Sequence, residues 1–131
     1  GPTGRGEFDE RVLTRLQGMG EWMKRHGRSI YGCGAAPEEF KCPQDCRLTY
    51  NAETNRLYVH LFAWPFELLH MDGMAGKVAY AQLLNDGSEV GMTDLPGHQA
   101  VYGDQGEGTL TLKLPVLKPN VTVPVVELFL K

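Results

Sequence analysis

The hydrophobic pattern of this 131-residue chain changes its period once, and that change limits the folds available to it. Between residues 8 and 26, apolar side chains recur at steps of three and four, which is the spacing of one face of an α-helix. From about residue 47 onward, apolar and polar residues alternate instead, which is the period of a β-strand. The sequence therefore predicts one helix followed by an all-β unit.

The helical segment ends abruptly within the stretch GEWMKRHGRSIYGC, residues 20–33. Lys24, Arg25 and His26 lie in its last turn, where positive charge interacts favourably with the helix dipole. Gly27 follows them, and we expect it to end the helix in the left-handed conformation that glycine adopts readily. The apolar face of the helix, called the helix stripe below, consists of Phe8, Val12, Leu16, Met19 and Met23.

The segments after the helix predict about seven or eight short strands separated by turn residues, which is typical of an antiparallel β-sandwich. The sequence NDGS at residues 85–88 predicts a hairpin between the strands on either side of it. The alternation also predicts which side chains of the last two strands face the core. These are Leu110, Leu112, Leu114, Val126, Leu128 and Leu130.

One strand departs from simple alternation. The stretch LYVHLFAW, residues 57–64, has no polar face, which predicts a central strand covered on both sides. Its aromatic face, with Tyr58, His60, Phe62 and Trp64, either stacks on sugars or is buried against the helix or a neighbouring domain. Burial is the interpretation that we favour, and Tyr58, His60 and Trp64 are the candidate substrate-binding residues.

Composition and motifs argue against several classes of function. A net charge of −3 gives no reason to expect a nucleic acid or an anionic membrane as partner. No apolar run approaches the roughly 18 residues of a membrane span, and no secretory signal peptide is visible, so the compartment stays open. The sequence has no phosphate-binding glycine loop and no zinc-protease motif, and we expect no cofactor.

The three cysteines, Cys33, Cys42 and Cys46, lie within fourteen residues of each other. An odd number does not make a complete disulfide framework. A metal site would need a fourth Cys or His nearby, and the sequence offers none there. We therefore expect ordinary thiols in a packed loop, with one disulfide as an open alternative, and no metal.

Several motifs resemble those of the α-L-fucosidases of glycoside hydrolase family 29. Residues 1–32 are similar to the end of the catalytic barrel in that family, including the GEW motif at residues 20–22 and the SIYG connection at residues 29–32. The stretch LYVHLFAWP resembles the family's strand that ends in Trp64-Pro65. GKVAYAQLLNDGSEV and VTVPVVELFLK also match its pattern, so the resemblance covers nearly the whole chain.

The resemblance implies a mainly β chain in two parts. Residues 1–32 would hold a terminal loop, the last helix of a (β/α)8 barrel and a linker, and residues 33–131 a C-terminal β-sandwich. The family removes terminal α-L-fucose with retention, using an Asp nucleophile and a Glu acid/base that both belong to the barrel. Neither maps onto this chain, so we expect no catalytic residue here and no activity of the chain alone.

The implied role is that of a non-catalytic C-terminal region that stabilises the barrel and shapes substrate access. An independent carbohydrate-binding module is the alternative. The expected partners are the catalytic barrel and, through the parent enzyme, fucosylated glycans. Each large apolar side chain gains roughly 1.5–3 kcal/mol from full burial, so we also expect self-association of the isolated chain through Phe8, Val12, Leu16, Met19 and Met23.

Overall fold

The computed structural model describes residues 10–95 and 108–131, and it describes helix side chains from residue 17 onward. Within these residues the chain forms one α-helix, one 3-10 turn and seven strands. Helix α1 spans Glu10–His26, and the 3-10 turn spans Gly27–Ser29. The strands are β1 (Cys46–Asn51), β2 (Arg56–Leu61), β3 (Leu68–Asp72), β4 (Val78–Leu83), β5 (Gly91–Leu95), β6 (Thr109–Lys113) and β7 (Val125–Leu130).

The strands form two antiparallel sheets that share one core. The first sheet has the order β1-β2-β7-β4 and the second has the order β3-β6-β5. Leu57 and Val59 of the first sheet and Met71, Leu110 and Leu112 of the second belong to the same buried cluster. This arrangement confirms the predicted mainly β fold.

Strand β2 is central, as its sequence predicts. It lies between β1 and β7 and pairs with both in antiparallel register. Leu57, Val59 and Leu61 face the core and are at most 2% exposed. Tyr58 and His60 point to the opposite face, yet they are only 2% and 5% exposed, so both faces of the strand are covered.

The alternation on the last two strands is confirmed, with one unpredicted addition. The positions predicted to face the core are buried in it or packed against it: Leu110, Leu112, Leu114, Val126, Leu128 and Leu130. Val125 and Glu127 lie on the other face of β7 and are also 0% exposed. Strand β7 is therefore covered on both faces like β2, and one of its buried side chains is a carboxylate.

The hairpin predicted around residues 85–88 is present but short. Gly87 in its turn lies in the left-handed region at a φ of 74°. The antiparallel bridge between Gln82 and Glu89 is flanked by backbone hydrogen bonds from Leu83 to Ser88 and from Val90 to Ala81. After Val90, which is buried in the core, the chain leaves β4, and β5 pairs with β6 in the other sheet.

The prediction for Gly27 is wrong in its backbone conformation. The helix ends at His26 and continues into the 3-10 turn, and the left-handed glycine is Gly32, with a φ of 75°. A Cβ atom on Gly27 would lie 3.3 Å from ring atoms of Tyr31 and 3.7 Å from Cε of Met23. Glycine is needed at residue 27 because another part of the chain approaches closely.

The helix stripe can be located only in part. Phe8 lies outside the described residues, as do the side chains of Val12 and Leu16. Met19 is 63% exposed and Met23 is half-buried. No helix in the described part of the chain combines the length and the apolar character that crossing a membrane requires.

Candidate functional site

Several buried polar side chains lie where α1 and the 3-10 turn meet the first sheet. The indole Nε1 of Trp22 donates a hydrogen bond to the carbonyl of Val123 at 2.8 Å, which ties the helix to the segment before β7. The Trp22 ring also packs against a small cluster of Tyr58, Leu84 and Val125 on the outer face of the sheet. The last turns of the helix therefore cover the face of β2 and β7 that points away from the core.

His26 is enclosed at this junction. It is 1% exposed and stacks on Trp22, with ring centroids 4.8 Å apart and planes 13° from parallel. Its Nδ1 lies 3.0 Å from the carbonyl oxygen of Trp22. A carbonyl only accepts, so we assign the hydrogen to Nδ1, and the Nε2 atom of the neutral ring is left as an acceptor. Among the described residues, that buried Nε2 has no hydrogen-bond partner.

His60 connects this junction to the first sheet. Its Nε2 lies 3.0 Å from Oγ1 of Thr49. The same hydroxyl donates to the carbonyl of Ser29 at 2.5 Å, and the hydroxyl of Ser29 donates to the carbonyl of His26 at 2.6 Å. These bonds connect the end of the helix, the 3-10 turn and the first two strands in one chain of contacts.

Both histidines are held in the neutral form. Burial lowers the pKa of His26, with a smaller lowering from the nearby charge of Arg25 and a partial opposition from the Trp22 carbonyl. Burial also lowers the pKa of His60, and the neighbouring His26 adds to that effect. The junction therefore resists taking up protons that the unfolded chain would bind.

Next to the histidines lies a buried ionic group, called the Glu127 cluster below. The carboxylate of Glu127 is 0% exposed and sits in the middle of β7. Arg28 of the 3-10 turn donates to its Oε1 at 2.8 Å, and Gln82 of β4 donates to the same atom at 2.7 Å. Tyr58 of β2 donates its hydroxyl to Oε2 at 2.8 Å, and Arg56 places a guanidinium nitrogen 3.6 Å from that atom.

The Glu127 cluster is suited to holding elements together and not to chemistry. Burial, and then the hydrogen bond to Glu127, raises the pKa of Tyr58 to about 12, so the phenol keeps its proton at neutral pH. The donors of Arg28, Gln82 and Tyr58 already bond to the carboxylate, and Glu127 is buried from solvent. The guanidinium of Arg28 is the member that comes from outside the sandwich, since it belongs to the segment that follows α1.

The three candidate substrate-binding residues lie in two places. Tyr58 and His60 are buried beneath the helix junction, while Trp64 is half-buried and donates its Nε1 to the carbonyl of Pro115 at 3.0 Å. Phe62, from the same stretch, is 62% exposed. Substrate binding by these residues stays a prediction. Sequence reasoning missed Glu127, whose signal is a single acid inside the apolar run VVELFL.

The cysteines are free thiols. Cys42 donates to the carbonyl of Cys46 at 3.1 Å, and Cys33 donates to the carbonyl of Arg28 at 3.4 Å. Burial raises the pKa of Cys46 to about 11, which keeps that thiol protonated and poorly nucleophilic at neutral pH. Within residues 10–95 and 108–131, no three His, Cys, Asp or Glu side chains group as a metal site would require.

An apolar groove of about 720 Å³ runs beside the junction. Its walls come from the helix, through Met19 and Met23, and from the sandwich, through Phe62 and Val123, with Ile30 of the linker at one end. Ile30 is 43% exposed, and Met19 and Phe62 are each more than half exposed. Met19 and Met23, the described part of the helix stripe, thus face this groove between the helix and the sandwich.

Comparison with solved structures identifies what this arrangement resembles. The chain matches α-L-fucosidase isoenzyme 1 from Paenibacillus thiaminolyticus with a TM-score of 0.79 and 33% sequence identity, over 100% of this chain and 29% of that enzyme. The chain resembles one region of the family 29 α-L-fucosidases. That finding confirms the family that its motifs predict, and the chain spans less than a third of the enzyme that it matches.

Two more distant fucosidases share the fold. The Thermotoga maritima α-fucosidase, solved in complex with a mechanism-based inhibitor, matches with a TM-score of 0.72 at 21% identity, over 98% of this chain and 29% of that one. The α-L-fucosidase from Vibrio sp. strain EJY3 matches with a TM-score of 0.75 at 20% identity, over 96% of this chain and 21% of that one. No protein-family model matches the chain, and no curated protein sequence matches it significantly.

Acidification should destabilise this chain through its two buried histidines. Since their native pKa values lie below the ordinary value of 6.5, the unfolded chain binds protons first as the pH falls, and the free energy of unfolding decreases below about pH 6.5. The loss is at most about 1.4 kcal/mol per pH unit for each histidine. Urea denaturation between pH 7.5 and 5 measures it.

His26→Gln combined with His60→Gln should flatten this pH dependence, and His70→Gln is the control for replacing a histidine that is exposed on β3. The pH range of the measurement also separates the contribution of the two histidines to stability from that of Asp86. Hydrogen bonds from Ser88 lower the pKa of that carboxyl below 3.8, so its contribution is lost only at more acidic pH. An equal slope in the double variant and the unaltered chain would contradict the assignment.

Glu127→Ala should strongly destabilise the isolated chain. It leaves the Tyr58 and Gln82 donors without their acceptor inside the protein, and each buried donor left unsatisfied costs about 1–3 kcal/mol, whereas the side chain of Arg28 is 54% exposed and reaches water. Glu21→Ala is the matched control, since Glu21 pairs with Lys24 in solvent and its loss should cost less than about 1 kcal/mol. Chemical denaturation followed by circular dichroism distinguishes them. Equal midpoints would show that the cluster does not hold the fold together.

Proposed function

We propose that this chain is the non-catalytic C-terminal region of a retaining α-L-fucosidase, and that it stabilises the enzyme's catalytic barrel. In this proposal residues 1–32 are the terminal loop, last barrel helix and linker, and residues 33–131 are the sandwich. The support is the match over the whole chain to 29% of a fucosidase at 33% identity. The catalytic Asp and Glu, and the fucosylated substrate, belong to the remaining part of the longer enzyme.

The geometric observation that carries the stabilising role is an apolar side chain left exposed beside the attached face of α1. Trp22, His26 and the Arg28–Glu127 pair fix the end of the helix to the sandwich. Met19 lies three residues before Trp22, next to that attached face, and is 63% exposed in this chain. A large apolar side chain exposed beside an attached helix face suits an element that a second body covers, and the barrel is that body in the proposal.

The sandwich also bears on substrate access in this proposal. Because the barrel and the sandwich share α1 and its linker, the Glu127 cluster fixes where the sandwich stands beside the barrel. Loops of the sandwich would then border the approach to the fucose site from a fixed position.

One observation favours the second candidate, an independent carbohydrate-binding module. Phe62 and Phe66 are 62% and 81% exposed, and exposed aromatic rings are a feature of sugar-binding surfaces. Against it, Tyr58 and His60 are buried beneath the helix. Calorimetric titration with fucose or fucosylated glycans distinguishes the candidates, because a module should bind them without any barrel.

The purified chain of 131 residues should not hydrolyse an aryl α-L-fucoside. The reason is that the family's nucleophile and acid/base have no counterpart on this chain. The assay compares the chain with the longer enzyme at equal molar concentration. Turnover that survives purification and disappears on replacing one Asp or Glu of this chain would overturn the non-catalytic assignment.

Glu127→Ala in the longer enzyme should lower the midpoint temperature of thermal inactivation and leave KM for the aryl fucoside nearly unchanged. The physical reason is that the substitution loosens the helix from the sandwich while the fucose site lies in the barrel. Glu21→Ala again serves as the control. An unchanged inactivation midpoint would refute the stabilising role, and a changed KM alone would favour a role in substrate access.

A further inference from the structure

The most exposed large apolar side chains in the described residues are not in the groove but at the neighbouring end of the sandwich. Phe66 and Leu117 are 81% and 83% exposed, and Leu68 and Val116 beside them are 45% and 55% exposed. These four residues are called the connection patch. They lie on or next to the β2–β3 and β6–β7 connections. Apolar side chains exposed together in this way typically mark a surface that another molecule or domain covers.

The two connections are tied to one another along their length. Trp64 donates its indole N–H to the carbonyl of Pro115 at 3.0 Å, and the amide of Leu114 donates to the carbonyl of Glu67 at 2.6 Å. The amide of Leu61 donates to the carbonyl of Pro124 at 2.9 Å. The patch is therefore presented by two cross-linked segments and is formed before any partner arrives.

The turn next to Phe66 is closed by its own backbone. The amide of Leu68 donates to the carbonyl of Phe66 at 2.7 Å. Glu67 between them has a φ of 62°, in the left-handed region. Phe66 is 81% exposed on this turn and gains little burial from the described residues.

Charge is scarce within the two connections. Residues 62–67 and 115–124 contain one acid and one base, Glu67 and Lys118. The exposed Lys113 lies beside them, paired with Leu68. The ammonium of Lys118 donates to the carbonyl of Val121 at 2.6 Å, so it is folded back onto its own connection. Depletion of charge around exposed aromatic and aliphatic side chains is the composition of an interface core.

The connection patch and the groove beside α1 draw residues from the same two connections. Phe62 opens the β2–β3 connection and lines the groove together with Met19. Val123, near the end of the β6–β7 connection, also lines it and accepts the hydrogen bond from Trp22. The two connections thus supply apolar side chains both to the groove and to the connection patch.

We propose that the connection patch is a second contact surface for the catalytic part of the same fucosidase polypeptide, beyond the helix. The occupant is an apolar, uncharged surface on the portion of the enzyme outside this chain. In the Paenibacillus relative the matched region is 29% of the enzyme, so the uncovered portion is more than twice as long and is large enough to reach both surfaces. This inference rests on the proposed function.

The test compares three variants in the longer enzyme and in the isolated chain. Phe66→Asp with Leu117→Asp alters the connection patch, and Met19→Asp alters the groove. Leu95→Asp is the matched control, because Leu95 is 53% exposed and lies at the opposite end of the second sheet, paired with Thr109. The readouts are the thermal inactivation midpoint of the enzyme, the melting temperature of the chain and the molecular mass of both by sedimentation.

The patch variant should lower the inactivation midpoint of the longer enzyme by about 2 °C or more, since a long chain shifts by fewer degrees than a small domain for the same loss of stability. It should leave the melting temperature of the isolated chain within about 1 °C of the unaltered value, since the patch has no cover there. The control should change neither quantity, and the mass of the enzyme should stay the same in every variant.

The other outcomes overturn the inference in distinguishable ways. If Met19→Asp lowers the midpoint and the patch variant does not, the patch is not a contact for the catalytic part, and the proposed function stands. If neither variant lowers it, both proposals fail. A patch variant that reduces the mass of the enzyme or of a self-associated chain assigns the patch to a second copy. Loss of glycan binding with an unchanged midpoint assigns it to sugar.

Discussion

The rest of this structure depends on how one buried carboxylate in the first sheet, that of Glu127, finds its hydrogen-bond donors. Burying Glu127 without partners would cost several kcal/mol, so its position is tenable only while donors from other elements stay in place. Those donors come from β2, from β4 and, through Arg28, from the turn that follows the helix. The same atoms that satisfy the carboxylate therefore also decide where the linker crosses the sheet.

The end of the helix is buried in a similar way, through the histidines next to the Glu127 cluster. Trp22, on which His26 stacks, packs against the cluster that contains Tyr58, whose hydroxyl is bonded to Glu127. Burial favours neutral rings and a protonated phenol here, and each of the three pKa directions agrees with it. The junction is thus largely buried and hydrogen-bonded, apart from Nε2 of His26, while the groove and the connection patch are apolar and open.

Much of the fold could be predicted from the sequence, because it depends on local periodicity. Leu110, Leu112 and Leu114 face the core as alternation requires, and β2 is central because neither of its faces is polar. Contacts between distant segments could not be predicted in this way. The partners of Glu127 lie 45, 69 and 99 residues away in sequence, and no local pattern encodes them.

The errors have the same origin. A turn sequence predicts the hairpin, but not that the chain leaves β4 after the buried Val90 and pairs in the other sheet. A glycine after a helix is compatible with a left-handed cap, but at Gly27 the approach of Tyr31 sets the need for glycine. The same holds for the candidate site. The sequence shows the aromatic face of β2, but the helix that covers most of that face could be placed only from the fold.

The contacts described between α1 and the sandwich lie near its C-terminal end, so a small rotation there is magnified along the helix. From Trp22 back to Glu10 there are twelve residues, or about 18 Å at the usual rise of about 1.5 Å per residue. A tilt of about 5° at Trp22 would displace Glu10 by roughly 1.6 Å. The direction in which the helix leaves the sandwich therefore depends on how stiff the hydrogen bonds of Trp22, His26 and Arg28 are.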